Sequence, residues 1–366
     1  MLYELGLFKL LYIMDKQKSK FVVLLLSVLT YFFLGAASIF YGKGFTMQYS
    51  RQRLYEHPFF TCLLMFIGEY SVYFLFKLTK PCAHYNCDDN LPKLNPFILA
   101  IPSLFDLLAS TLSFFAFFFL AASVSQMMMS GMMVITCILS IAFLKKQYYR
   151  HHWTGLLIIL IGVSTVAINA IIQTQNDPNA ASTNTKPLGV IMYLSSVIFQ
   201  AFQCVAEEAI FRKYTCHPME AVGYEGASGV FYFLILLPIF QFVKVPVYIS
   251  RYGVLENTVE ALSQIASNKF LLVMVLTYPI VVALLNIAAQ GVTKYSSALH
   301  RTILAQCRTI LVWIVAMIIG WEKFYILQLV GFLIVILGTL IYNEILVLPC
   351  CGFNLYTKKA LRSSSN

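Results

Sequence analysis

The sequence predicts an all-α membrane protein whose ten transmembrane helices form two oppositely oriented five-helix halves. Three observations carry that reading: a composition too apolar for a water-soluble fold, ten apolar runs of spanning length, and a matching segment in each half. Of 366 residues, 59% are hydrophobic and only 11% charged, with mean hydropathy +0.76. That leaves too little polar surface to solvate a globular chain of this size.

A spanning helix needs about 20 apolar residues. Runs of that kind lie near 21–41, 59–79, 97–120, 124–144, 153–172, 188–211, 226–248, 268–291, 302–320 and 325–345. Breakers such as His57-Pro58, Pro81, Asn95-Pro96, Asp177-Pro178 and Pro349 separate them, as expected where helices start or stop. The third and fourth runs meet almost without a loop. Residues 1–20 carry Lys9, Lys16, Lys18 and Lys20 and read as an interfacial N-terminal segment. Because these lysines follow the apolar part, the segment differs from a cleavable signal peptide. The expected organisation is then a first half at 21–172, a linker at 173–187, a second half at 188–345 and a cytosolic tail at 346–366.

Cytoplasmic loops retain positive charge. With a cytosolic N-terminus, 16 Lys and Arg fall on the cytosolic side and 8 opposite, which places both termini in the cytosol. The basic residues are scattered rather than gathered into a patch, so the net charge of +10 marks a membrane-facing rim and not a nucleic-acid surface. Cys62, Cys137, Cys204 and Cys307 lie within spans as small packing residues, and no disulfide framework is evident.

The internal match joins residues 155–162, GLLIILIG, to residues 331–338, GFLIVILG, with four of eight positions identical. Upstream, Lys146-Gln147-Tyr148 aligns without a gap to Glu322-Lys323-Phe324. Five is an odd number, so a repeated five-helix unit lies in the membrane with opposite orientation, as in carriers that expose one site alternately to each side.

Several polar and turn motifs follow one another in order: His57-Pro58-Phe59 with Gly68-Glu69-Tyr70, and Asn95-Pro96-Phe97 with Phe105-Asp106. Next come Glu207-Glu208, His217-Pro218, Ala221-Val222-Gly223 and Glu225-Gly226, then Arg308-Thr309 with Gly320-Trp321-Glu322. In this order they resemble the drug/metabolite transporter superfamily, and within it the F subfamily of nucleotide-sugar-transporter-like solute carriers. The resemblance runs from about residue 57 to 345 and implies ten helices, two inverted repeats, a central cavity and alternating access. It also implies distant kinship with chloroquine-resistance-type transporters of digestive vacuoles, and so an intracellular membrane: lysosome or vacuole, endosome or Golgi. Two positions depart from the family pattern. Ser130 stands where an Arg precedes the glycine of the fourth helix, and Ala305 stands where an Asp precedes the Arg-Thr of the ninth.

A charge at the bilayer centre costs about 2.5–3.5 kcal/mol by insertion scales. Asp106, roughly 14 Å into the third run, and Arg308, at comparable depth, must therefore pair or meet water. Either they face the solute or they form a structural salt bridge. Glu69 and Glu207 are further cavity candidates, and buried carboxylates at Glu69, Asp106 and Glu207 suit proton coupling. Glu208 reaches Arg212 one turn on and reads as a structural ion pair. Asn286 and Gln290 share one helix face and, with Thr293 and Arg301, make a polar stripe that binds solute or joins helices. Gln126 with Met127–Met129, Met132 and Met133 reads as flexible core packing. Gly155, Gly162, Gly331 and Gly338 read as sites of close helix approach.

Cys82, His84, Cys87, Asp88 and Asp89 lack the second half-site of a zinc centre, so no metal is expected there. His151-His152 reads as interfacially solvated, and Cys350-Cys351 as an S-palmitoylation candidate. No phosphate loop, nucleophile elbow or zinc-protease signature is present, and no cofactor is called for. The reading is a solute carrier, not an enzyme, moving a small polar or charged metabolite by proton coupling or exchange. Its partners are a small-molecule substrate and the lipid bilayer, with assembly as a monomer or homodimer. The alternative is a non-transporting scaffold or adaptor that keeps the fold.

Overall fold

The computed structural model describes residues 2–79, 92–175, 186–245, 250, 252–321 and 323–346. The Cys82–Asp89 cluster, Glu322 and Cys350-Cys351 lie outside them. Helix α1 (Leu2–Thr46) runs without a break from the N-terminal segment into the first span. A two-stranded hairpin, β1 (Tyr49–Ser50) with β2 (Arg53–Leu54), turns through Arg51 and Gln52, both at positive φ as an inward-twisted hairpin turn requires.

There follow α2 (Pro58–Thr79), α3 (Ala100–Phe119), the fourth span as α4 (Ala122–Met128) and α5 (Met132–Leu144), and α6 (Arg150–Gln175). The second half holds α7 (Lys186–Lys213), α8 (Pro218–Phe240), α9 (Thr258–Ser267), α10 (Lys269–Tyr295), α11 (Ala298–Ile319) and α12 (Ile326–Tyr342). Among the described residues, nine helices are long and apolar enough to cross a membrane, and α12 is a shorter apolar helix of 17 residues.

Three differences from the sequence reading have local causes. The seventh apolar helix begins at Pro218 rather than near 226, because the His217 ring accepts the Met219 amide at 3.3 Å and proline suits the first helical position. Short α9 is amphipathic and lies outside the apolar runs; the Asn257 side chain caps it at the Glu260 amide, 3.1 Å away. A 3-10 turn at Met129–Gly131 divides the fourth span into α4 and α5. The tight α3–α4 junction is as expected: two extended residues, Leu120 and Ala121, separate the helices, and Lys43 of α1 donates to the Phe117 and Leu120 carbonyls at 2.6 and 2.9 Å.

Packing is pairwise. Helix α6 lies along α12, α3 along α7, α2 along α8 and α1 along α10. On α6, Leu157, Leu160, Ile161 and Ile168 face outward while Leu156, Ile159, Val163 and Val166 are buried, the helical division expected of a lipid-facing span. Between α6 and α12 the backbones touch through glycine. A Cβ on Gly155 would stand 2.8 Å from the Gly338 carbonyl, and one on Gly338 2.8 Å from the Gly155 carbonyl; Gly162 and Gly331 meet in the same reciprocal way. Carbonyls this close to a neighbouring helix leave no room for a side chain.

Two acidic residues hold helix starts. Glu256 accepts the Phe59 and Phe60 amides of α2 at 3.1 and 3.2 Å and the His57 ring at 2.6 Å. Glu208 pairs with Lys146 and with Arg212, each at 2.7 Å, and accepts the Ala298 amide of α11 at 2.9 Å.

Gly155→Leu is expected to cost about 1–3 kcal/mol, read as an earlier melt in detergent. Gly131→Ala, whose added carbon would meet only Val163 at 3.8 Å, is expected to melt like the parent protein. Burial and neighbouring Lys294 push the His217 imidazole down to about 4. The unfolded chain therefore takes up that proton first, and stability falls as pH drops from about 6.5 toward 4. His217→Asn, which keeps a neutral cap acceptor, should flatten this loss in melts run between pH 7 and 4.

Candidate functional site

A cavity of about 130 Å³ opens at the centre of the bundle, large enough for several waters or a small solute. Its walls come chiefly from α1, α3, α4, α7, α10 and α11, with Met65 of α2, Met129 of the 3-10 turn and Met132 of α5 completing them. Aromatic and thioether groups such as Phe114, Phe117, Tyr278 and Met129 form the apolar lining, and a few polar groups project between them. That mixture is typical of small-molecule sites.

Asp106, Asn286, Arg301 and Arg308 line this space. Asp106 accepts from Ser110, one turn along α3, at 2.9 Å. Arg308 donates from Nε to Gln126 at 3.3 Å, and its guanidinium sits 5.3 Å from the centre of the Tyr31 ring. Neither Asp106 nor Arg308 forms an ion pair among the described residues, so the salt bridge between them that sequence reasoning left open is not formed. Gly35 makes room for Arg308, since a side chain there would collide with its guanidinium.

Glu69, Glu207 and Gln290 sit behind the lining. Glu207 pairs with Arg301, and both are buried. Glu69 accepts from Asn286, which joins α2 to α10. Gln290, one turn further along α10, donates to Glu225 of α8 at 2.8 Å. The polar stripe on α10 thus reaches two neighbouring helices from one face, as i and i+4 residues can. Its inner member, Asn286, also touches the cavity.

Several lining groups escaped sequence reasoning. Gln126, read as core, is the hydrogen-bond partner of Arg308, and its amide lies 3.5 Å from the Tyr193 hydroxyl. Tyr31, Gln200 and Gln203 also line the space, on α1 and α7. Uncharged polar residues within apolar helices were the available signal, but nothing local separates a cavity glutamine from one that bridges helices. Ser130 is buried, and Ala305 packs with Tyr31, Leu285, Ala288 and Ala289. Neither of the two departures from the family pattern contributes a charge at its own position.

The description "UAA transporter family" fits residues 49–346 of the chain. Solute carrier family 35 member F6 of Homo sapiens is 30% identical over 298 residues, covering 80% of each chain, and the Mus musculus protein of that name matches to the same extent. An uncharacterized protein of Schizosaccharomyces pombe is 28% identical over 290 residues, 78% of this chain and 87% of that one. A solved protein crystal structure superposes with a TM-score of 0.56 at 13% identity over 90% of this chain and 98% of that one, a likeness of fold alone. With a family match over most of its length and carriers of the same pattern as relatives, the chain is a multi-pass membrane transporter belonging to the UAA transporter family.

Proposed function

We propose that the chain is a solute carrier that moves a small polar or charged metabolite across an intracellular membrane by alternating access. Its units are two inverted five-helix halves, residues 21–172 and 188–345, with α12 as the tenth span and α4–α5 counted as the fourth. The observation that carries this reading is the exchange symmetry of the packing. Numbering the spans one to ten, swapping each with the span five places on turns the α1–α10 contact into the α7–α3 contact. The α2–α8 and α6–α12 contacts map onto themselves. The reciprocal glycines obey the same rule: the sequence match equates 155 with 331 and 162 with 338, and the contacts join 155 to 338 and 162 to 331. Reciprocity of this kind belongs to a two-fold relation.

The cavity walls largely follow the same pattern. Spans one, three and four of the first half meet spans six, eight and nine of the second, and span two adds Met65 without a counterpart from span seven among the lining residues. A site shared by two oppositely oriented halves is what rocking requires. Arg308 and Asp106 offer a cation and an anion to the solute from different helices, while Arg301 is engaged by Glu207. Among the described residues the central polar cluster holds four buried carboxyls, Glu69, Asp106, Glu207 and Glu225, against two guanidiniums, Arg301 and Arg308. The excess acids suit protons or a cationic group of the solute as counter-charge, which supports proton coupling or exchange.

An uptake screen in proteoliposomes at two external pH values tests the reading. For any solute taken up, Asp106→Asn and Arg308→Lys should each lower flux at least roughly tenfold while the melting temperature stays close to that of the parent, because neither residue has an ionic partner among the described residues. Undiminished flux in both variants would remove them from the site. Gly35→Val should likewise impair transport by displacing the Arg308 guanidinium, and flux equal to the parent's would argue that Arg308 need not hold that position. If protons are coupled, an inward proton gradient accelerates uptake and Glu69→Gln weakens that acceleration; flux indifferent to pH would exclude the coupling.

A further inference from the structure

We propose that His151, His152 and Glu344 form a zinc-type divalent-metal site that clamps the start of α6 to the end of α12. One potential ligand atom from each of the three lies within 4.8 Å of the others. His151 Nε2 and Glu344 Oε1 are 3.2 Å apart, close to the ~3.3 Å edge of a tetrahedron around zinc with bonds of about 2.0–2.1 Å. Two imidazoles and one carboxylate are a donor set that zinc accepts, with a fourth position left for water or another ligand.

Interfacial solvation does not describe His151. His151 is 4% exposed, and its buried Nδ1 has no hydrogen-bond partner. Adjacent residues on a helix diverge by about 100°, yet the two imidazole centres lie only 4.0 Å apart, so both rings have turned to one side. The third donor arrives by an unusual backbone route. Glu344 follows the end of α12 at φ 58°, a left-handed conformation that residues other than glycine seldom adopt and that clusters at ligand-holding positions. Aromatic rings wall the group: Tyr149 stacks beside His151, and Tyr342 meets His152 edge-on at 5.0 Å. Aromatic walls lower the local polarity and so strengthen the attraction between a cation and its ligands.

The clamp would lie at one end of the α6–α12 pair, next to the Gly155–Gly338 contact. Glycine contact brings the two helices together through shape, and a shared metal would fix their ends covalently in all but name. It is independent of which solute the cavity takes, and of whether transport occurs.

The test uses the full-length chain in detergent, purified without a histidine tag, stripped with chelator and titrated with zinc alone. Near-stoichiometric uptake is expected, weakened at least roughly tenfold by His151→Ala and by Glu344→Gln. Glutamine at 344 still hydrogen-bonds to His151, so a merely structural contact would survive that change. Cobalt substituted into the unaltered protein should give the intense visible absorption of a four-coordinate centre, a readout that requires no variant to fold. Weak six-coordinate bands, or zinc uptake no greater than that of the His151→Ala/Glu344→Gln double variant, would overturn the proposal.

Discussion

The hydrocarbon supplies no hydrogen bonds, and the rest of the structure depends on that constraint. Backbone groups must be satisfied within helices, and side-chain polarity must turn inward or reach the ends. The consequence is visible in the distribution of polar groups: Glu69, Asp106, Glu207, Glu225, Arg301 and Arg308 are all buried, while the outward faces carry Leu, Ile, Val and Phe. A bundle that gathers polarity at its centre has the makings of a solute site, because the same groups that must avoid lipid then surround one small space.

Close packing around that space relies on missing side chains as much as on those present. Gly155, Gly162, Gly331 and Gly338 let α6 and α12 meet carbonyl to backbone, and Gly226 does the same for α8 against the Glu69–Tyr70 backbone of α2. In lipid no hydrophobic force drives helices together, so dispersion contacts of this intimacy carry more of the burden. These helices stand outside the group that lines most of the cavity. They form a tightly joined frame, and α1, α3, α4, α7, α10 and α11 present their polar faces within it.

Charge is used differently at the ends. Glu256 and Glu208 each accept backbone amides at a helix start, where the dipole favours an anion, and each also engages a basic side chain. Each carboxylate thereby links segments far apart in the chain. Glu208 joins the segment after α5 to α7 and α11, and Glu256 joins the segment before α9 to α2. At the centre the logic reverses: Asp106 and Arg308 remain without ionic partners among the described residues, and both face the cavity.

The amino-acid order alone determined the class, the apolar runs and the glycine match, because hydrophobicity, helical period and breaker residues act over a few turns. It also marked Asp106 and Arg308, since charge in an apolar run is expensive wherever the helix goes. Partner choice lay beyond it. That Arg308 meets Gln126 and Tyr31, that Glu69 meets Asn286, and that His151 is covered by Glu344 depend on residues about 180 or more positions apart, or on another span altogether. Only the packed bundle decides which helix face meets which, because apolar spans of similar composition offer lipid and neighbour much the same surface until their shapes interlock.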